Sequence, residues 1–459
     1  MGKPDFNPLR DVLSGLIMAA TSVPQLIAYA ETVGVAGYRG LSTAGPPLLA
    51  YALVTGGPFM NAGVTSITAL MAKADLDGES YAAKYGEEQY VLLVSMYSMY
   101  VGLASAFLAV VGFGKLAKSV PKPVRTGFKW GCAVGVLVSA FPNGVMQGGG
   151  SELKKLAIQQ SILNEWATPL KAYCPGIVNA ANFLFAVSSP WIWAIQPTIL
   201  FALGTAFVMR GSKVLPSFLP PGTEVVLVTA AAACYSLYGS YQGAIVGEIP
   251  SMDPSAGISL GPIQIPVEIA DFSQLWQVPL IERCFGGSMV QLALTSTLFA
   301  AVNFLSILGI ASGFETENGI SWSAPRELLA QGAGCIAAGC IGSAPVSGSM
   351  SRSLVSRMTG ATSQFAAIVT ALVWIYLQPW MSVMAPTPKA ALSAVIVSAV
   401  LEGIVKPKAL LQLSGSDSLV GWVTGFATVI TSPTQGFAAG LVLYGVIFLL
   451  FGKSKEKTA

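Results

Sequence analysis

Residues 56–72 read GGPFMNAGVTSITALMA and residues 342–358 read GSAPVSGSMSRSLVSRM. In each, a run rich in small and turn-forming residues leads into a short segment, Gly63 to Ala72 and Ser349 to Met358. A membrane helix needs roughly 20 mostly apolar residues, so neither segment crosses a bilayer alone. Short, interrupted spans at matching places in two halves of a chain are the sequence mark of a transporter's binding site.

Outward from these segments, fourteen windows read as membrane elements. They are Asp11 to Val33, Ala44 to Gly56, Gly63 to Ala72, Tyr90 to Phe113, Val120 to Ala140, Trp191 to Val208 and Glu224 to Leu237, then Gly286 to Ala311, Arg326 to Cys340, Ser349 to Met358, Thr362 to Met381, Ala390 to Ile404, Leu419 to Thr431 and Gln435 to Phe451. The third of each set of seven is short, and each set opens with a long helix. An odd number of crossings turns the second set over, so seven plus seven predicts an inverted repeat in an all-α, multi-spanning membrane protein. Two polar stretches, Pro142 to Pro190 and Gly239 to Pro279, are expected outside the bilayer.

Composition agrees. Of 459 residues, 25 are Lys or Arg and 22 are Asp or Glu, so charged residues are 10% of the chain, against about 25% in soluble proteins. Hydrophobic residues make up 53% and the mean hydropathy is +0.64, which excludes a soluble enzyme. A net charge of +3 without a basic cluster excludes nucleic-acid binding. The chain has no His, which removes the usual metal ligand, proton shuttle and triad base. Its six Cys have no CxxC spacing and read as small core residues. No metal or cofactor is expected, and an intramembrane enzyme is disfavoured.

Charge placement sets the expected topology. With the N-terminus in the cytoplasm, inside segments collect Lys3, Arg10, Lys115, Lys118, Lys122, Arg125, Arg210, Lys213, Arg357, Lys406, Lys408 and the lysines after Phe451. Outside segments carry the acidic group Asp75, Asp77, Glu79, Glu87 and Glu88. The positive-inside rule then places both termini in the cytoplasm. No secretory signal or transit peptide is read at the N-terminus.

A helix that starts at the bilayer midplane aims free N–H groups and the positive end of its dipole at whatever lies there, which favours an anion. The first-turn candidates are Gly63, Val64, Thr65 and Ser66 on one side, and Ser349, Met350, Ser351 and Arg352 on the other. Arg352 is the sharpest clue, because a guanidinium at membrane depth must face a ligand, water or a carboxylate. Its structural alternative is an ion pair with Glu327 or Glu402. In the first window, Pro24 breaks the backbone ladder, and Gln25 and Tyr29 share one face four residues apart; they read as ligand contacts or as packing between helices. Glu31, nearer the helix end, is expected in solvent. Lys129 is expected to snorkel to the interface.

Two long motifs, DVLSGLIMAATSVPQLIAYAETVGV with YRGLSTAGPPLLAYAL and then RELLAQGAGCIAAGCIGSAPVSGSMSRSLVSRMTGATSQ, resemble the sulfate permease (SulP) family of anion transporters. That family also includes chloride/bicarbonate exchangers and the motor protein prestin. The resemblance implies a seven-plus-seven fold split into core and gate domains, with a short strand ahead of each half-helix. On the windows above, 11–113 and 246–381 become core, 114–245 and 382–452 gate, with cytoplasmic segments 1–10 and 453–459. It carries anion contacts onto Gln25, Tyr29, Thr65, Ser351 and Arg352, to which the first-turn reading above adds Ser66, and implies elevator-like alternating access. Several features depart from the family. Gly63, Val64 and Thr65 stand where a Gly-Pro and an aromatic are common, Pro325 and Cys335 where Asn is common, and Ser306, or Asn303 in a gapped match, where many members carry a coupling carboxylate. The chain also stops before the STAS domain that most members append; members with that domain are often homodimers. The expected substrate is a small inorganic oxyanion, sulfate by family frequency. Chloride/bicarbonate exchange or an uncoupled anion channel is the alternative, to which Ser306 gives weight.

Overall fold

The Asn7 side chain accepts the Arg10 N–H at 3.2 Å and so starts α1 (Pro8–Val33), which Gly34 ends in the left-handed conformation at φ 98°. Such caps satisfy backbone groups that a helix end leaves open. The computed structural model describes residues 5–114, 120–150, 152–153, 156, 174–216, 223–239, 241–247, 249, 258–260, 263–267, 269 and 289–451. The expectations for Lys3, Lys115, Lys118, the tail after residue 451 and much of the two polar stretches lie outside these residues.

After α1 come α2 (Gly37–Ser42), α3 (Pro46–Val54), the strand β1 (Ala62–Gly63), α4 (Ser66–Leu76), α5 (Gly78–Tyr85), α6 (Glu87–Val110), α7 (Lys122–Val145), α8 (Pro175–Ser188), α9 (Ile195–Val214) and α10 (Thr223–Tyr238). A hairpin of β2 (Ile258–Leu260) and β3 (Ile263–Ile265) follows. The remainder is α11 (Met289–Asn318), α12 (Ala324–Cys340), β4 (Ser347–Gly348), α13 (Met350–Met358), α14 (Phe365–Leu377), α15 (Lys389–Val405), α16 (Lys408–Leu411), α17 (Gly415–Ile430) and α18 (Pro433–Phe451). The segments Pro8–Val33, Glu87–Val110, Met289–Ala311, Phe365–Met384 and Lys389–Leu411 are long and apolar enough to cross a membrane.

Each of the fourteen windows holds a helix, but the helices are more numerous than the windows. The stretch Pro142 to Pro190 is not wholly a polar loop, because its apolar run PGIVNAANFLFAVS forms α8, which packs on α7 and α17. Asp75, in the last turn of α4, is half-buried and accepts the Tyr97 hydroxyl at 2.6 Å. Glu31 is not in solvent. Its side chain is 15% exposed and pairs with Lys389 at 3.2 Å, which joins the end of α1 to the start of α15.

Helix packing falls into two sets. In one, α12 lies against α3 and α6, α14 against α1 and α3, and α11 against α6. In the other, α7 lies against α15 and α17, α9 against α15, and α18 against α17. Glycines let the backbones close in the second set: a Cβ on Gly127 would stand 2.0 Å from the Gly421 carbonyl oxygen, and one on Gly131 2.5 Å from that of Gly425.

Asp11 ties the two ends of the first set. Fully buried, its carboxylate accepts the Thr362 N–H at 2.5 Å and the Thr362 hydroxyl at 3.0 Å. It also accepts the Ser363 N–H at 3.2 Å and the Ser363 hydroxyl at 2.6 Å. It thus fills the open donors leading into α14. Asp11→Ala strands those donors, and we expect a loss of about 3 kcal/mol, read as a lowered thermal midpoint in detergent; an unchanged midpoint would contradict the staple.

Candidate functional site

The two short segments meet. β1 and β4 pair antiparallel, Ala62 opposite Gly348 and Gly63 opposite Ser347, and each runs within a few residues into a helix, α4 or α13. The local reason is composition: Ala-Gly and Ser-Gly are small enough for two backbones to cross here. A Cβ on Gly63 would stand 2.9 Å from Arg352 Nη2 and 3.0 Å from Leu26. Asn303 holds β4 from outside by donating to the Val346 carbonyl at 3.0 Å. Gln364, from the turn before α14, donates to the carbonyls of Gly57 and Met60 on the approach to β1.

The two helix starts differ. Thr65 is the N-cap of α4 in an extended conformation and forms a capping box with Thr68. Its hydroxyl accepts the Thr68 N–H at 3.3 Å, while the Thr65 N–H donates to the Thr68 hydroxyl at 2.9 Å. Ser349 caps α13 in the same extended region but makes no side-chain capping bond. Its N–H donates to the Asn61 carbonyl at 2.8 Å.

Arg352, in the first turn of α13, is 3% exposed and reaches across to the other junction. Its Nε donates to Asn61 Oδ1 at 3.3 Å, and both Nη atoms donate to the Val64 carbonyl at 3.3 Å. These partners are neutral. Among the described residues no carboxylate pairs with Arg352. Glu327 is buried elsewhere, accepting from the Tyr51 hydroxyl at 3.2 Å, the Thr55 hydroxyl at 2.7 Å and the Gly56 N–H at 2.9 Å, and Glu402 is exposed. The ion-pair alternative for Arg352 is thereby removed.

α1 supplies the third wall. Tyr29, 7% exposed, lies beside Ser66 and within electrostatic reach of Arg352, and Gln25, 8% exposed, sits one turn earlier on the same face. Trp374 braces this stretch by donating to the Ala19 carbonyl at 2.9 Å. Of the six expected anion contacts, Tyr29, Ser66 and Arg352 are brought together, Thr65 stands at the same junction as its helix cap, and Gln25 is buried one turn before Tyr29 on α1. Ser351 lies in the first turn of α13, and its side chain is outside the described residues.

Ser306 is elsewhere: it lies on α11 against α7, with Arg125 and Lys129. Two residues were not singled out from the sequence. Asn61, 2% exposed, binds Arg352 through its side chain, receives Ser349 at its carbonyl and donates its N–H to the Ser353 hydroxyl at 3.1 Å. Ser347 is fully buried with a hydroxyl that has no partner. Asn61 immediately precedes β1 and Ser347 is the first residue of β4; their polarity inside GGPFMNAG and GSAPVSGS was the available signal.

The arrangement amounts to a permanent cation with neutral partners, hydroxyl donors and two helix starts converging from opposite halves of the chain. Such a set dehydrates and holds an anion. The pattern of the sulfate permease family matches residues 9–424. A probable sulfate transporter of Mycobacterium tuberculosis is 29% identical over 440 residues, which cover 95% of this chain and 68% of that one. The structure of the murine solute carrier 26 family member A9 anion transporter in its inward-facing state superposes with a TM-score of 0.72 at 17% identity, covering 96% of this chain and 68% of that one. The transmembrane domain of a cyanobacterial bicarbonate transporter, BicA, superposes with a TM-score of 0.69 at 16% identity, covering 96% and 98%.

Proposed function

The chain belongs to the sulfate permease family, and from that premise we propose that it is a secondary transporter of small inorganic anions, sulfate first, which holds its substrate between the starts of α4 and α13. The observation that carries this reading is Arg352, buried at the strand crossing with only neutral partners. A buried guanidinium costs several kcal/mol unless a charge is supplied to it, and a bound oxyanion supplies one. Tyr29, Ser66, Thr65, Ser351 and Gln25 complete the contacts, and the unpartnered Ser347 hydroxyl adds a donor.

The chain divides into seven plus seven inverted elements. Core segments 11–113 and 246–381 move against gate segments 114–245 and 382–452 by an elevator-like step, with both termini in the cytoplasm. The two packing sets support that division, and the Glu31–Lys389 pair bridges it. Ser306 cannot titrate, so cation coupling through that position is not available, and anion exchange is the second reading.

The test is uptake of radiolabelled sulfate by proteoliposomes of the purified chain, competed with bicarbonate and chloride, with and without proton or sodium gradients. Saturable sulfate uptake is expected. Chloride or bicarbonate flux without sulfate uptake would move the chain to the exchanger or channel reading.

A further inference from the structure

A second cluster of cations lies away from the strand crossing. Lys122, Arg125 and Lys129 recur at three- and four-residue spacing along the first turns of α7 and so share one face. They line a cavity of about 180 Å3 against α11, where Ser306 and Gly309 form the opposite wall, and no acidic residue lines it. None of the three cations is ion-paired among the described residues.

Both walls present unmet hydrogen-bonding capacity. Ser306 Oγ is buried without a partner, and so is Arg125 Nε. A helical serine ordinarily returns its hydroxyl to a carbonyl one turn back. Ser296, on the same helix, does so at 2.8 Å to Leu292; Ser306 does not. Buried polar atoms without partners are rare in native structures and call for an explanation. Gly309 keeps the wall open, since a Cβ there would stand 2.9 Å from the Lys129 ammonium.

We propose that this cavity is a second anion-binding site, which takes a small inorganic oxyanion between the cations of α7 and the Ser306 hydroxyl of α11. A water occupies about 30 Å3 in the liquid, so the volume admits an oxyanion with part of its hydration shell. Ile307 and Ile310, on the neighbouring face of α11, pack toward Gly348 of β4. One helix thus separates the cavity from the strand crossing, and the second site stages the anion beside the first. Lys129 is itself exposed, and its ammonium stands beside Gly309 of α11. The choice of sulfate as probe rests on the transport reading given above.

The test is equilibrium binding of radiolabelled sulfate to the detergent-purified full chain. Parent protein is expected to bind about two equivalents, and Arg352→Ala about one. The Arg125→Gln/Lys129→Gln pair, and separately Gly309→Leu, which fills the cavity, are each expected to bind one equivalent that Arg352→Ala then removes. Lys129→Arg, retaining the charge, is expected to keep both. A single equivalent in the parent that Arg352→Ala abolishes would overturn the second site and leave the transport reading intact. Two equivalents unchanged in both cavity variants would also overturn it. No sulfate binding at all, with no flux of any anion tested, would instead bring down the transport reading and this site with it.

Discussion

Arg352→Ala is expected to abolish saturable sulfate uptake in proteoliposomes while the protein still purifies as a monodisperse species. The side chain is 3% exposed, and its hydrogen bonds run to one carboxamide and one backbone carbonyl. Removing it therefore orphans neutral acceptors and leaves no stranded carboxylate, which is why the fold tolerates the change. An anion held there would lose the one permanent countercharge that the described residues place at the crossing. Truncating one member of a buried, hydrogen-bonded charge pair costs about 2–5 kcal/mol, which at about 1.4 kcal/mol per decade is a thirtyfold to several-thousandfold loss of affinity. Arg352→Lys keeps the charge without the planar fork and is expected to fall between the two. Parent-like uptake by Arg352→Ala would remove the strand crossing as the transport site.

Gly63→Val is expected to eliminate uptake by a steric route. Even a single added carbon would stand 2.9 Å from Arg352 Nη2 and 3.0 Å from Leu26, closer than such contacts normally lie. The guanidinium could retreat only by leaving the Val64 carbonyl, and the Leu26 side chain is 1% exposed with little space to yield. Valine adds two further methyl groups, so we expect β1 to part from β4 and uptake to fall to the level of empty vesicles. Gly403→Ala is the matched control, since nothing lies within 4 Å of its Cβ position, and it should transport like the parent. Normal uptake by Gly63→Val would show that the strand crossing is not close-packed during transport.

Much of this was legible in the residues. Low charge and long apolar windows required a bilayer, and two short segments behind Gly/Ser-rich approaches marked where the chain would break inside it. The cation in the first turn of the second segment marked Arg352. Each of these signals is local, carried within about twenty residues. The misreadings share a different character. Glu31 was expected in water because it sits near a helix end, and it found its partner on a distant segment, Lys389. Pro142 to Pro190 was read as a loop because its mean polarity hid the fourteen residues of α8.

The sequence by itself determined the solvent in which the protein folds, the places where its helices are interrupted and the residue types available there, since all three follow from composition and periodicity along the chain. Only the tertiary structure decided the partners. It assigned Glu327 to Tyr51, Thr55 and Gly56 instead of Arg352, turned Thr65 inward as the cap of its own helix, and set Ser306 against Arg125 and Lys129. It also registered Ala62 with Gly348 across 286 residues of sequence. Pairings of that span depend on how every intervening helix packs, and no local pattern encodes them.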